Sequence, residues 1–340
     1  MEYSPAKVKF NTAAIVTAFG LRGVLRVRRL RNCPLGTMLI ETSRGRYVVR
    51  RTAPRSDLEL KRTAHFLVYL RDHGFPVLVP LTDRNGRYWH PLGATVWSVH
   101  PLREWRLQPF DPGNAPQLAA LGESLAHYHM AGKGYRKGAD SKLTLERVWQ
   151  LFAAVQPHLP PYLARAGRVL DEEVRYLCSA LDVAKLPRGP ILVEMDPHRF
   201  CFYGNKLRLV LNCEPDSRGP FIFDLANAVN RFCFGKNGYD LDRFETLVRP
   251  YDRVRPLGLL EWDAFPNALR LSAARQLCIL LQRAFLDQAE PWAALEPKFH
   301  EWFDCLRVLR REVEGRFGPL LAVMATGYDY RRYQRSRSLS

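Results

Sequence analysis

The residues best suited to chemistry gather in the second half of the chain. Leu186-Pro187-Arg188-Gly189-Pro190-Ile191-Leu192-Val193-Glu194-Met195-Asp196-Pro197-His198-Arg199-Phe200 brings two carboxylates, a histidine and two guanidinium groups close together, and beyond the Gly204-Asn205 turn follow Asn212, Glu214 and Asp224. Phosphoryl transfer uses these residue types. It needs a cation on the nucleotide phosphates, acids or an amide to hold magnesium, and a carboxylate to orient or deprotonate the acceptor hydroxyl. Zinc chemistry is not indicated: the seven cysteines stand singly, with no Cys-x-x-Cys pair and no histidines at zinc spacing. Free thiols in a reducing compartment are the expectation, with no disulfide framework.

The elements that must position these groups follow from hydrophobic periodicity. Val24 to Arg51 alternates, with Leu25, Val27 and Leu30, then Thr37-Met38-Leu39-Ile40-Glu41, a Ser43-Arg44-Gly45 turn and Tyr47-Val48-Val49, which predicts extended hairpin structure. A helix is predicted from about Ser56 to His73, capped by Ser56 or Asp57, with Leu58, Phe66, Leu67 and Leu70 at helical spacing and Gly74 and Pro76 as its stop. The strand Thr95 to Val99 runs into His100-Pro101-Leu102, the expected hinge. Beyond it Gln117 to Met130, Phe221 to Phe234, Phe265 to Leu286 and Trp292 to Phe317 read as helices, the first ending near Gly132, and Phe200 to Leu211 as a hairpin.

This order of elements, with Gly45-Arg46-Tyr47-Val48-Val49-Arg50, Leu121-Gly122-Glu123-Ser124-Leu125-Ala126-His127-Tyr128-His129 and Gly219-Pro220-Phe221-Ile222-Phe223-Asp224-Leu225-Ala226-Asn227, resembles the aminoglycoside phosphotransferase and choline kinase family, most closely its homoserine kinase branch. The resemblance covers nearly the whole chain. It implies an α+β, two-lobed protein-kinase-like fold: a small antiparallel-sheet N-lobe with one helix at 1–101, a larger helical C-lobe at 102–326, and a basic Arg/Ser tail at 327–340, expected to be disordered.

The resemblance also assigns roles. Arg50, with Arg51 beside it, takes the phosphate-contacting strand position, and Glu59 the position of its carboxylate partner on the small-lobe helix. Leu192 replaces the catalytic-loop histidine, Glu194 the catalytic aspartate, Arg199 the metal-binding asparagine and Asn212 the metal-binding aspartate. Glu214 sits where relatives carry a further acid, and Asp196 or His198 would reach the site if the loop were shifted in register. Asp224 matches an aspartate that braces the catalytic loop, and a helix N-cap role suits it equally. His129, on an apolar helix face, reads as a packed histidine rather than a catalytic one.

Glu194 keeps a carboxylate but displaces it, and misplacement by about 1 Å can cost roughly a hundredfold in rate. Asn212 removes an anionic ligand and Arg199 adds a positive charge, so a conventional magnesium site is not expected, while ATP stays an allowed ligand through the family resemblance. The expected function is a pseudokinase that binds a small-molecule ligand or a protein partner without standard magnesium-dependent phosphotransfer. An active small-molecule kinase with an atypical site is the alternative. A third reading rests on the formal net charge of +17, which allows an acidic partner or nucleic acid, although no nucleic-acid-binding motif is present. The Arg31-Asn32-Cys33-Pro34-Leu35-Gly36-Thr37 segment, with its single glycine, is a weak phosphate-loop candidate. No apolar run reaches the roughly 20 residues that span a bilayer, and the start lacks an apolar signal core, so a cytoplasmic protein without membrane association is expected.

Overall fold

The computed structural model describes residues 12–30, 36–52, 55–103, 106–135 and 145–314. Most of the phosphate-loop candidate and all of the Arg/Ser tail lie outside them. In chain order the first elements are α1 (Thr12–Ala18), β1 (Val24–Arg29), β2 (Met38–Thr42), β3 (Gly45–Thr52), α2 (Asp57–Asp72), β4 (His90–Leu92), β5 (Thr95–Leu102) and β6 (Gln108–Pro109). There follow α3 (Ala115–Lys133), α4 (Leu145–Val155), α5 (Ala164–Ala180), β7 (Arg188–Pro190), β8 (Phe200–Tyr203) and β9 (Lys206–Val210). The last are β10 (Arg218–Pro220), α6 (Phe221–Cys233), α7 (Leu241–Val254), α8 (Leu259–Leu281) and α9 (Trp292–Glu314). None of the described helices is long and apolar enough to cross a membrane.

The chain forms two compact units. One comprises Met1–Pro109 with His198–Tyr203 and Arg208–Cys213; the other comprises Phe110–Pro197, Gly204–Leu207 and Glu214–Ser340. The first is built on a five-stranded antiparallel sheet in the order β1-β2-β3-β5-β4. Because strand side chains alternate between faces, Met38, Ile40 and Val49 pack with Ile15 and Phe19 of α1 and with Trp97 and Val99. Their neighbours Leu39 and Val48 pack on the other face with Leu102, Leu78 and Leu107. Leu78 and Leu107 also pack against Cys201, Leu209 and Leu211 of the β8–β9 hairpin. A parallel bridge from Val77 to Val210 ties that hairpin to this unit.

Helix α2 begins where its cap predicts. The Ser56 hydroxyl accepts from the Glu59 N–H and the Glu59 carboxylate accepts from the Ser56 N–H, a reciprocal capping box worth about 1 kcal/mol. Phe66 and Leu70 are buried as their spacing predicts, but Leu58, counted on the same face, is exposed. It lies in the first turn, beside the capping residues. At the other end of this unit β5 continues through the expected hinge to Leu102, because His100 and Leu102 still pair with Val48 and Arg46 of β3.

The second unit is helical. Glycine at 122 lets α3 and α7 approach closely: a Cβ there would lie 2.0 Å from the Leu247 carbonyl oxygen. Helix α3 also runs past Gly132, which lies within it against the Pro190 ring, and ends at Gly134. Arg270 of α8 donates twice to the Glu173 carboxylate of α5 at 2.6 and 2.7 Å. This fork-to-fork geometry is what a buried ion pair needs to offset desolvation. Short strands β7 and β10 pair antiparallel and flank the segment that carries Glu194.

Candidate functional site

The candidate residues belong to two clusters, one in each unit. In the first unit, Arg50 lies on β3 opposite Ser98, and its Nη2 donates to Asn212 Oδ1 at 2.6 Å. Asn212 follows Leu211 at the end of β9 with φ +58°, a left-handed conformation that asparagine adopts more readily than most residues. Arg199, nearly buried, turns back onto this bend. Its Nε donates to the Leu211 carbonyl at 3.2 Å and its Nη2 to the Asn212 carbonyl at 2.7 Å, while the Leu211 N–H donates to the Arg199 carbonyl at 2.9 Å. Two guanidinium groups therefore converge on Asn212, one on its side chain and one on its backbone. The sequence-based expectation of Arg199 as a cation at a metal position is refined: its charge is held by backbone acceptors at the end of the hairpin.

His100 supports the same strand. It is buried, with Nε2 2.8 Å from the Ser98 hydroxyl and Nδ1 3.2 Å from the Leu78 carbonyl. Burial, reinforced by the positive charge of Arg50, pushes its pKa down to about 3, so the ring is neutral. Arg51, one residue beyond Arg50, is exposed, and Glu59 serves the α2 capping box.

The second cluster centres on Asp224, in the first turn of α6 and 1% exposed. Pro220 occupies the N-cap, so the capping role allowed for Asp224 is not the one it plays. Its carboxylate instead accepts the backbone N–H groups of Leu192 at 2.5 Å and Val193 at 2.8 Å. These bonds hold Val193 at φ +70°, a conformation strained for a β-branched residue, and the Asn227 side-chain amide closes on the Val193 carbonyl. Glu194, exposed, follows directly, with its N–H on the Leu192 carbonyl at 2.8 Å. The strained residue thus sets the direction in which the chain presents the carboxylate.

Behind Asp224 lies a buried relay. His129 Nε2 is 3.1 Å from Asp224 Oδ2, and its Nδ1 is 2.8 Å from the Tyr251 hydroxyl. A carboxylate can only accept, so Nε2 carries the proton and Nδ1 accepts from Tyr251, whose oxygen receives Arg255 Nη1 at 3.0 Å. Burial pushes the His129 pKa down despite the Asp224 charge, consistent with a neutral ring, and pushes the Tyr251 hydroxyl up. Arg255 completes the chain on Glu261 at 2.8 Å. His129 is packed, as its helix face predicts, and it stacks on Phe221.

The remaining candidates divide between the units. Glu194 and exposed Asp196 belong to the second and exposed His198 to the first; Asn212 belongs to the first and half-buried Glu214 to the second. Asn227 and Arg275 were not singled out in the sequence. Asn227 lies one helical turn from Asp224 in the Asp224-Leu225-Ala226-Asn227 motif, a spacing that puts both on one face. Arg275 has no local signal, being one of many arginines in a basic chain.

Several known proteins are similar to this chain. The homoserine kinase of Methylobacillus flagellatus is 26% identical over 292 residues, covering 85% of this chain and 88% of its own. That of Methylobacillus glycogenes is 28% identical over 281 residues, covering 82% and 84%. Among solved structures, the amicoumacin kinase hAmiN, in complex with AMP-PNP, Ca2+ and Ami, superposes with a TM-score of 0.65 at 14% identity, covering 87% of this chain and 91% of its own. A choline/ethanolamine kinase family protein from Mesorhizobium loti gives 0.64 at 15%, covering 93% and 97%. These structures carry the two-lobed, kinase-like α+β architecture that the sequence resemblance implies. Residues 36–257 match the model of the phosphotransferase enzyme family, and the chain belongs to that family.

Proposed function

We propose that this protein is a homoserine-kinase-like pseudokinase: it binds a nucleotide through Arg50 without a conventional magnesium ion and holds a small-molecule ligand, rather than carrying out standard phosphotransfer. The observation that carries this reading is the convergence of Arg50 and Arg199 on Asn212. A hard divalent cation favours anionic oxygen ligands. Here the residue matched to the metal-binding aspartate is a neutral amide whose oxygen already accepts from Arg50, and the residue matched to the metal-binding asparagine is a guanidinium. The donor set does not fit magnesium. A guanidinium is a good phosphate ligand in its own right. The solved relative with AMP-PNP bound supports a nucleotide as the ligand class.

Titration of ATP by calorimetry, with magnesium and with a chelator, tests the reading. Equal binding in both, with no phosphate transfer to homoserine or to amino alcohols, is the expected outcome. Binding that appears only with magnesium, or turnover abolished in Glu194→Ala, would overturn it.

One observation favours an active kinase as the second reading. The Asp224 brace fixes the backbone just ahead of Glu194, which the resemblance matches to the catalytic aspartate, and curated relatives along most of the chain are homoserine kinases. The two readings differ on whether ATP is consumed.

A further inference from the structure

Beside the Asp224 brace, within the second unit, is a recess of about 20 Å³ lined by Val193, Asp224, Asn227, Ser272 and Arg275. Its volume is about that of one water-sized sphere. Most of its polar groups are engaged. Asp224 takes two backbone N–H groups and His129, Asn227 donates to the Val193 carbonyl, and Ser272 donates to Asn227 Oδ1 at 3.3 Å.

Arg275 is the exception. It lies one turn beyond Ser272 on α8 and is half-buried, yet among the described residues its guanidinium makes no hydrogen bond and no ion pair at contact distance. Burial pulls its pKa down, and the negative charges of Glu194 and Asp224 act against that, so both carboxylates are near enough to be felt. A half-buried guanidinium with no acceptor at contact distance among the described residues has donors open to a ligand, and its planar fork matches a carboxylate.

We propose that Arg275 is the residue that recognises a carboxylate on the small-molecule ligand of this unit, with one carboxylate oxygen in the recess and a hydroxyl or ammonium of the same ligand against Glu194. The recess admits an oxygen-sized group and not a whole ligand, so the rest of the molecule stays outside it. Glu194 and Asp224 disfavour a ligand of high negative charge, which points to hydroxylated amino acids. This deepens the homoserine-kinase-like reading and rests on it for the role of Glu194; it does not require that ATP bind or react.

The test is calorimetric titration of the full chain with L-homoserine, L-threonine and L-serine, each against its carboxamide, and with 3-amino-1-propanol, which is homoserine without its carboxylate. At least one acid should bind, and its uncharged counterpart should bind at least about tenfold more weakly, a difference of about 1.4 kcal/mol. Arg275→Met should erase that difference while leaving the thermal unfolding midpoint and ATP binding unchanged, and Arg275→Lys should restore part of it. Carboxamides binding as well as acids, acid binding unaffected in both Arg275 variants, or no binding by any of the acids would overturn the proposal. Acid binding that depends on Arg275 in a protein that does not bind ATP would instead remove the nucleotide reading and leave this one standing.

Discussion

Asn212 in the first unit, at the bend after β9, and Asp224 in the second, in the first turn of α6, are both polar side chains that collect several donors, but the donors differ in kind. At Asp224 a full negative charge meets two backbone N–H groups and a neutral histidine. At Asn212 a neutral amide and its own carbonyl meet two full positive charges. The resemblance matches Asp224 to a bracing aspartate and Asn212 to a metal-binding one, and a carboxylate stands at the first position and an amide at the second. Framework and chemistry are therefore separable in this chain: the Asp224 cluster is defined by what the fold needs from its own N–H groups, and the Asn212 cluster by guanidinium charge in a place matched to a metal ligand.

The largest expected effect tests the framework half of that contrast. Asp224→Ala would leave two backbone donors and the His129 N–H without their acceptor inside the second unit, and should cost about 4 kcal/mol in urea unfolding. A loss below about 1 kcal/mol would mean that the loop does not depend on the brace.

Acid should expose a similar dependence in each unit. His100 has its folded pKa at about 3, below its unfolded 6.5, and that of His129 is also lowered. For a histidine held neutral, the stabilisation is complete above the unfolded pKa and is lost as pH falls, so stability should decline below about pH 6.5 and continue down toward pH 3. The expected slope is up to about 1.4 kcal/mol per pH unit for each group. Unfolding measured across pH 4 to 8 should show a flatter profile in His100→Gln than in the wild type; an unchanged slope would remove His100 from the account.

Next in size is Arg199. If its guanidinium serves the backbone of Leu211 and Asn212, Arg199→Met should lower stability by about 2 kcal/mol without any ligand present. Unaltered stability would contradict that role. Introducing the residues that the resemblance assigns to these positions, in the double variant Arg199→Asn, Asn212→Asp, should make ATP binding magnesium-dependent, which calorimetry with a chelator would reveal. The smallest effect sharpens the nucleotide reading: Arg50→Ala should weaken ATP binding about tenfold, the loss of one charge-assisted contact, with little change in homoserine binding.

Much of this contrast could be read from residue order, and the reason lies in range. The α2 cap is a contact between Ser56 and Glu59, near neighbours, and the β8–β9 turn is written in Gly204-Asn205. The brace was legible because Asp224 comes with a recognisable family motif. By contrast, α4, α5 and α7 were covered only by a general reading of the later chain as helical. The backbone contacts of Arg199 could not be found at all, because backbone carbonyls leave no residue signature. The same limit explains Asn212, whose amide meets Arg50 across 162 residues of sequence.

Strand β1 brings a further consequence, for the behaviour of the protein in concentrated solution. All its residues are exposed, including Leu25 and Val27, and among the described residues it pairs only with β2, so it is the edge of the described sheet. Arg26 and Arg28, the latter 3.8 Å from the Glu41 carboxylate, place positive charge on that edge in every copy, a barrier to edge-to-edge association. That barrier is electrostatic and therefore screened by salt. Colloidal stability should accordingly fall as ionic strength rises, and threonine at positions 26 and 28 should turn a self-repelling edge into an adhesive one.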